Sequence, residues 1–391
     1  MKSRPKLNWR KFNEHSDEFD KQERMRPRSS KSSKNSNLDE SFEEDPSDWG
    51  ELAPNEFIGR VVEVHKRYSF VSPEPVQGNI QTRVIFLATV ARKFLLAKRN
   101  SRNFIVVGDR VRCEKVDSSE TGVQTSFETC IVKKLGRRKG VVARRDPHNQ
   151  AVEHILASNV DQMIVVASFL NPKIKWGLID RYLVLAEFHQ IDAIILLNKS
   201  DLLKDADKDF QEECEKNIAV FRAAGYEVIE FEASGSSKSQ KAAIFKLGET
   251  LKGKVSMLSG HSGVGKSSIV NLFDPELIQT VEENSDISYK GRHTTSFASM
   301  IKLKNSGYVI DTPGIRSFVL ESFDFRTLVD GFREFRPFVS SCKYAACTHI
   351  DEPGCGLFQA YEGGLVDTRR YLSYRNLLLD DTGREGRAGL S

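Results

Sequence analysis

The chain has 391 residues, 39% of them hydrophobic, with 58 Lys and Arg against 54 Asp and Glu. That length allows two or three domains with a sizeable core, and the absence of any run of about 18 apolar residues argues against a helical membrane span. The N-terminus lacks an apolar h-region, so no secretory signal is expected and the protein is expected in the cytoplasm.

Residues 1–54 are expected to form a charged, disordered tail. They are rich in charge, Ser and Asn and poor in aliphatics, too little to offset the entropy of ordering. The tail begins basic and ends acidic, at Asp39, Glu40, Glu43, Glu44, Asp45 and Asp48. It reads either as a solvated tail or as an arm that touches RNA.

Residues 55–138 read as short strands: 57–64, 70–71, 82–86, 104–107, 110–114 and 127–132, with Gly108-Asp109 as a turn. About five short strands separated by turn signals suggest a small β-barrel, most simply an OB-fold. Residues 88–103 are long and basic and read as a loop or short helix inserted in that barrel. Between residues 57 and 145 there are 19 Lys and Arg against 7 Asp and Glu. A basic domain on a nearly balanced chain suggests a polyanionic partner.

From residue 139 to 320 the pattern changes. Apolar runs at 162–169, 193–197, 228–231 and 255–258 alternate with helical segments at 179–188, 210–224 and 240–251. Buried strands alternating with helices mean a parallel sheet in an α/β domain. Residues 321–391 form a Phe-rich, helical C-terminal region with a Cys/His cluster and a terminal helix from about residue 369.

Gly260-His261-Ser262-Gly263-Val264-Gly265-Lys266-Ser267 matches G-x-x-x-x-G-K-[ST] between an apolar strand and a helical segment that opens with Ser268. This is the context of a phosphate-binding loop. Its glycines let backbone N–H groups curl around phosphates at a helix N-terminus of partial positive charge. Lys266 is expected to reach the β- and γ-phosphates, and the Ser267 hydroxyl to bind Mg²⁺. Asn198-Lys199-Ser200-Asp201 follows the apolar run 194–197. The Asp201 carboxylate can accept from guanine N1–H and the N2 amino group, which adenine lacks, so the motif reads guanine. Lys199 can lay its stem over the base, and Asn198 can tie this loop to the phosphate loop.

Asp311-Thr312-Pro313-Gly314 follows the apolar run 308–310. Asp311 is expected to hold Mg²⁺ through water and the Gly314 N–H to sense the γ-phosphate. Gly291-Arg292-His293-Thr294-Thr295-Ser296 reads as a switch segment, with Thr295, or alternatively Thr294, completing the Mg²⁺ shell. Glu232-Ala233-Ser234 is either a second base-contacting loop, through Ala233 and Ser234, or an ordinary strand exit. The residue after Gly314 is Ile315, which cannot orient the attacking water as a glutamine there can. His293 is the proposed replacement; a structural or RNA-facing role for it is the other reading. The motifs run base-reading pair first and phosphate set second. This is a circular permutation of the usual GTPase order, which a fold tolerates when its former termini were close.

Cys342-x4-Cys347-x-His349-x5-Cys355 offers three thiolates and one imidazole, a closed tetrahedral set for one structural Zn²⁺ in a reducing compartment. A compact cluster of this kind staples a segment too small to hold its own core.

With Asn159-Val160-Asp161-Gln162 and Asp180-Arg181-Tyr182-Leu183, the permuted motifs and the Cys/His cluster, the sequence resembles the ribosome small-subunit-dependent GTPase A family over residues 55–380. The resemblance implies an N-terminal OB-fold, a central permuted P-loop GTPase domain and a C-terminal zinc domain. It also implies GTP/GDP and Mg²⁺ use, and GTP-dependent binding to the small ribosomal subunit and its rRNA during late maturation. The ribosome would stimulate hydrolysis. The protein is expected to be a monomer with no membrane partner. A nucleotide-gated RNA-binding module with incidental hydrolysis is the alternative class. A metabolic kinase is disfavoured by the N-K-x-D and D-x-x-G motifs.

Overall fold

The computed structural model describes residues 43–65, 68–74, 84–90, 104–117, 127–146, 149–232, 238–273, 299–303, 307–311 and 327–388. The chain divides into two compact units. One holds residues up to Lys139 together with Arg145–Asn159, and the other holds Gly140–Arg144 and Val160–Ser391.

The first unit contains β1 (Glu43–Glu44), β2 (Glu56–Val64), β3 (Ser69–Pro73), β4 (Phe86–Val90), β5 (Arg110–Val116) and β6 (Thr129–Gly136). β2 pairs antiparallel with β3, β3 with β4, β5 with β6 and β5 with β2, while β4 and β6 are parallel. The ring β2-β3-β4-β6-β5 therefore closes on itself, which removes the exposed edges that a small sheet would otherwise present. Period-two alternation sends Val61, Val71, Val111, Cys113, Cys130 and Val132 into one buried core. This is the five-stranded barrel expected from the sequence.

Three details differ from the sequence expectations. The apolar run at 104–107 is a buried turn whose strand-type pairing among the described residues is an isolated bridge from Val107 to Ala157. The cause is Asp109, fully buried, which must find donors: it takes the Val106 N–H at 2.9 Å, the Ser158 hydroxyl at 2.6 Å and a bidentate Arg138 at 2.8 Å. Second, β4 lies four residues beyond the expected strand and takes Ala88–Val90 from the basic insert. The rest of that insert, residues 91–103, is outside the described residues. Third, the acidic end of the expected tail is ordered. Glu43–Glu44 adds a parallel strand to β6, Glu44 pairs with Lys134 at 2.6 Å, and Trp49 is buried. Acidic side chains reach cations of the barrel, and one indole supplies the apolar area.

β7 (Val142–Asp146) and β8 (Asn149–Ala157) follow in the chain. The second unit is then built on β9 (Gln162–Ser168), β10 (Asp192–Asn198), β11 (Glu227–Glu230), β12 (Val255–Ser259), β13 (Ser299–Lys302) and β14 (Tyr308–Asp311). Their spatial order is β13-β14-β12-β9-β10-β11, all parallel except β13. Interleaved are α1 (Trp176–Phe188), α2 (Lys208–Ala223), α3 (Lys238–Leu251) and α4 (Lys266–Phe273). Every residue of β9 and β12 is buried, as expected of parallel strands covered on both faces. β7, β8 and β13, like β1, are strands that the sequence does not single out. β13, Ser-Met-Ile-Lys, is short and has no continuous apolar run of the kind that marks β14.

After residue 326 come two 3-10 turns, Leu328–Gly331 and Arg333–Phe335, then α5 (Arg336–Val339), α6 (Gly356–Glu362) and α7 (Thr368–Ala388). Their core joins Leu328, Phe332, Phe335, Leu357, Tyr371 and Tyr374 with Val184 of α1. The Phe332 and Phe335 rings stack at 4.8 Å. No helix among the described residues is long and apolar enough to cross a membrane.

Candidate nucleotide site and metal centre

β12 is central in its sheet, between β14 and β9. Loops leaving the carboxyl ends of such strands form the usual ligand crevice of an open α/β sheet. The segment from Gly260 to Lys266 leaves β12 there and enters α4. Gly260 and Gly265 have φ of 148° and 98°, which side-chain-bearing residues rarely adopt. A Cβ on Gly260 would lie 2.1 Å from the Val166 carbonyl oxygen, and one on Gly265 would lie 2.3 Å from Asn198 Nδ2. The loop is thus pressed against β9 on one side and the Asn198 loop on the other. Val264 is buried in the sheet core and anchors the loop, while His261, Ser262, Gly263, Ser267 and Ser268 are exposed. Lys266 Nζ donates to the carbonyls of Gly260 at 2.8 Å and His261 at 2.9 Å, which places its ammonium over the loop.

Asn198 ends β10 and is buried. Its Nδ2 donates to the Val264 carbonyl at 2.8 Å, and its Oδ1 accepts from the Lys199 N–H at 2.8 Å. One side chain therefore ties the N-K-x-D loop to the phosphate loop, though 66 residues separate its two ends. Lys199, with φ of 60°, reaches back so that Nζ donates to the Gly263 carbonyl at 3.0 Å. Asp201 Oδ1 is buried with no hydrogen-bond partner among the described residues. An unpaired buried carboxylate oxygen costs about 1–3 kcal/mol or more, which a ligand donor would recover. The donors of a guanine edge fit that requirement.

β14 ends at Asp311, in register with Leu258 of β12. The D-x-x-G motif therefore begins at the carboxyl end of the strand next to the one that feeds the phosphate loop. Ala233, Ser234, His293, Thr295 and Gly314 lie outside the described residues.

The second cluster lies in the C-terminal region. The ligand atoms of Cys342, Cys347, His349 and Cys355 all lie within 4.8 Å of one another. His349 Nδ1 is 3.4 Å from Cys342 Sγ and 3.6 Å from Cys355 Sγ, and the two sulfurs are 4.0 Å apart. Tetrahedral Zn²⁺ bound by S and N sets ligand separations of roughly 3.4–3.9 Å; the two His349 distances fall in that range and the remaining separations are within about an ångström of it, so the donor set suits the ion. Burial pushes the Cys347 thiol up to about 12 and lowers His349, so the pocket itself opposes cationic imidazole and anionic sulfur. A divalent cation would offset the second effect and take the neutral imidazole as it stands. Surrounding donors are in place: the Gly356 and Phe358 N–H groups point at Cys342 and Cys355 Sγ, both at 3.3 Å. Glu352 takes the Thr348 and Ile350 N–H groups at 2.6 and 3.1 Å. Burial alone would raise its carboxyl, yet the Thr348 hydroxyl, which also donates to it, and these N–H bonds hold it at about 2.

Several residues around these sites had no sequence signal. Tyr371 and Tyr374 of α7 donate to the carbonyls of His349 and Thr348 at 2.9 and 2.7 Å, pinning the Cys/His loop from a helix. Asp180, within a stretch of family resemblance, binds Arg370 at 2.6 Å and Arg369 at 2.7 Å. Neither pairing has a spacing rule, because the partners are about 190 residues apart.

A family model described as RsgA GTPase matches residues 135–321. The chain is 35% identical over 288 residues to the small ribosomal subunit biogenesis GTPase RsgA of Christiangramia forsetii, covering 73% of this chain and 86% of that protein. The crystal structure of YjeQ from Thermotoga maritima aligns with a TM-score of 0.62 and 29% identity, over 84% of this chain and 99% of that one. The structure of YloQ, described as a circularly permuted GTPase, shares the fold with a TM-score of 0.62 at 23% identity, covering 86% and 99%. With barrel, permuted sheet, phosphate loop and Cys₃His cluster in the same chain as these matches, the protein belongs to the RsgA GTPase family.

Proposed function

We propose that the chain hydrolyses GTP and acts in biogenesis of the small ribosomal subunit, as the name of its curated relatives describes for them. The observation that carries the guanine assignment is the contact of Asn198 with Val264. It brings the unpartnered Asp201 oxygen and the phosphate loop into one crevice. Residues 55–138 act as the RNA-binding barrel, 139–320 as the GTPase and 321–391 as the zinc domain.

In this reading Asp201 accepts from guanine N1–H and the N2 amino group, and Ala233 and Ser234 complete the base pocket. The N–H groups of 260–268 and the Lys266 ammonium hold the phosphates and stabilise charge building on the leaving oxygens. Ser267, Thr295 and Asp311 would hold Mg²⁺, which supplies further charge neutralisation on the phosphate oxygens. His293 orients the water that attacks the γ-phosphorus, the role that Ile315 cannot take. Gly314 senses that phosphate. The Cys₃His set holds a structural Zn²⁺. The protein acts as a cytoplasmic monomer that contacts rRNA.

The location of the charge supports the RNA contact. Of the barrel's cations, Arg60, Arg110, Arg112, Lys133, Lys134 and Arg138 are engaged in ion pairs. Arg83, Arg92, Lys93, Lys98, Arg99 and Arg102 fall in a stretch of the sequence, residues 75–103, that contains no acidic residue. GTP turnover titrated with purified small subunits, with ATP as competitor, tests the function. Stimulation by subunits and indifference to ATP are expected. Turnover that subunits leave unchanged would favour an RNA-binding module with incidental hydrolysis.

A further inference from the structure

The base-reading lysine is held from a third loop. Ser168, the last residue of β9, is in register with Asn198, so the chain leaving β9 runs beside the N-K-x-D loop. Phe169 N–H donates to the Asn198 carbonyl at 3.2 Å, and Ser168 Oγ donates to the Pro172 carbonyl at 2.9 Å, which folds residues 169–172 back toward the sheet end. At the tip of that fold the Asn171 carbonyl accepts a hydrogen bond from Lys199 Nζ, the ammonium that also donates to Gly263. Asn171 has φ of 53° and an exposed side chain. The left-handed region admits Gly freely and Asn readily, and strains β-branched residues. What this position supplies is therefore a backbone conformation that aims one carbonyl.

We infer that Asn171 is a positioning residue for nucleotide recognition. Its left-handed backbone aims a carbonyl at Lys199, so that the lysine stem lies where the guanine ring stacks. Two carbonyls from two different loops, those of Gly263 and Asn171, then fix the ammonium between them. A lysine with only one of them would retain rotamers that sweep its stem off the base, and ordering it on binding would weaken affinity. The phosphates are held by other groups, so the effect falls on base binding and leaves the chemical step untouched. This inference rests on the base-reading role of Asp201 and Lys199 proposed above.

The test compares GDP affinity and GTP turnover in the full chain for Asn171→Gly, Asn171→Ala, Asn171→Val, Lys199→Met and Asn171→Val combined with Lys199→Met. Asn171→Gly should bind GDP as the parent does. Asn171→Val should weaken GDP binding and raise KM by about fivefold to tenfold, the range expected from local backbone strain, with kcat at saturation unchanged. Asn171→Ala should fall between them, and it keeps the test open if the valine variant folds poorly. In the Lys199→Met background, Asn171→Val should add no further loss, because its effect passes through the lysine. Unchanged GDP affinity in both Asn171→Val and Asn171→Ala would overturn the inference. So would equal loss in the glycine variant, or full additivity with Lys199→Met. Asp201→Asn, measured alongside with GDP and xanthosine diphosphate, separates the two levels. If that variant keeps guanine preference, the base-reading assignment fails. If it switches to xanthine while Asn171→Val and Asn171→Ala bind as the parent does, only the role of Asn171 fails.

Discussion

The carboxylate of Asp180 on α1 and the guanidinium of Arg370 on α7 meet at 2.6 Å with neither side chain exposed to solvent. Glu334 takes a second edge of the guanidinium at 3.1 Å, and the Phe332 ring lies 4.5 Å from its centre. Burial alone would lower the Arg370 pKa, but the two acids beside it hold it above the ordinary arginine value. Arg336 and Arg333 grip Glu187 of the same helix α1. The region that carries the Cys₃His cluster is therefore bonded to α1 by buried charge as well as by the shared apolar core around Val184.

Breaking that pair from one side should be costly. Arg370→Ala leaves Asp180 and Glu334 without their shared cation, and removal of one partner of a buried ion pair costs about 3–5 kcal/mol. Arg336→Ala, at a half-exposed guanidinium, should cost about 1 kcal/mol or less. Chemical denaturation of the two variants checks both the sign and the ranking. Equal, small losses would mean that the Arg370 network contributes little to holding α7 on α1.

Metal analysis of freshly purified protein should find one Zn²⁺ per chain. Cys347→Ser, or removal of metal by a chelator, should loosen residues 340–355 to proteolysis while GDP still binds, because the nucleotide crevice is built on β9, β10 and β12. Protein that contains no zinc as isolated, or Cys347→Ser that keeps its metal, would count against the cluster as a site.

The basic insert should contact rRNA through phosphates. Each phosphate neutralised releases counterions, so affinity for small subunits should fall steeply with salt. Reversing charge at Lys98, Arg99 and Arg102 together should weaken binding and flatten that salt slope by about three contacts. A salt-insensitive affinity, or a triple variant that binds as the parent does, would remove this insert from the RNA surface.

Nucleotide state should gate the partner. The short spacing from Asp311 to Cys342 makes this segment a candidate mechanical outlet for nucleotide state; Phe332 and Phe335 stack in a buried core shared with Val184 of α1, and a fixed core of this kind is the competing reading. Phe318, Phe323 and Phe325 lie outside the described residues. A ligand shifts an arrangement only by its differential affinity for the alternatives. Subunits should bind more tightly with a non-hydrolysable GTP analogue than with GDP, and hydrolysis should promote release. Equal affinities in the two states would end the switch reading of the segment after Gly314.

Local chemistry was legible in the sequence wherever a short motif carries its own physical requirement. The phosphate loop needs glycines at fixed offsets before a Lys and a Ser, and the zinc set needs three sulfurs and an imidazole within 14 residues. The buried strands β9, β10 and β12 announce themselves because a strand covered on both faces must be apolar throughout. The permutation, too, is a matter of motif order alone. Relationships between distant residues were decided only by the tertiary structure. Asn198 meeting Val264, Asn171 meeting Lys199 and Asp180 meeting Arg370 depend on which strands and helices become neighbours, and no periodicity encodes such partners. The same holds for the turn at 104–107, where apolar residues read as a strand. One buried carboxylate, Asp109, demanded hydrogen-bond donors, and the cost of leaving it unpaired outweighed the local strand preference of Phe104, Ile105, Val106 and Val107.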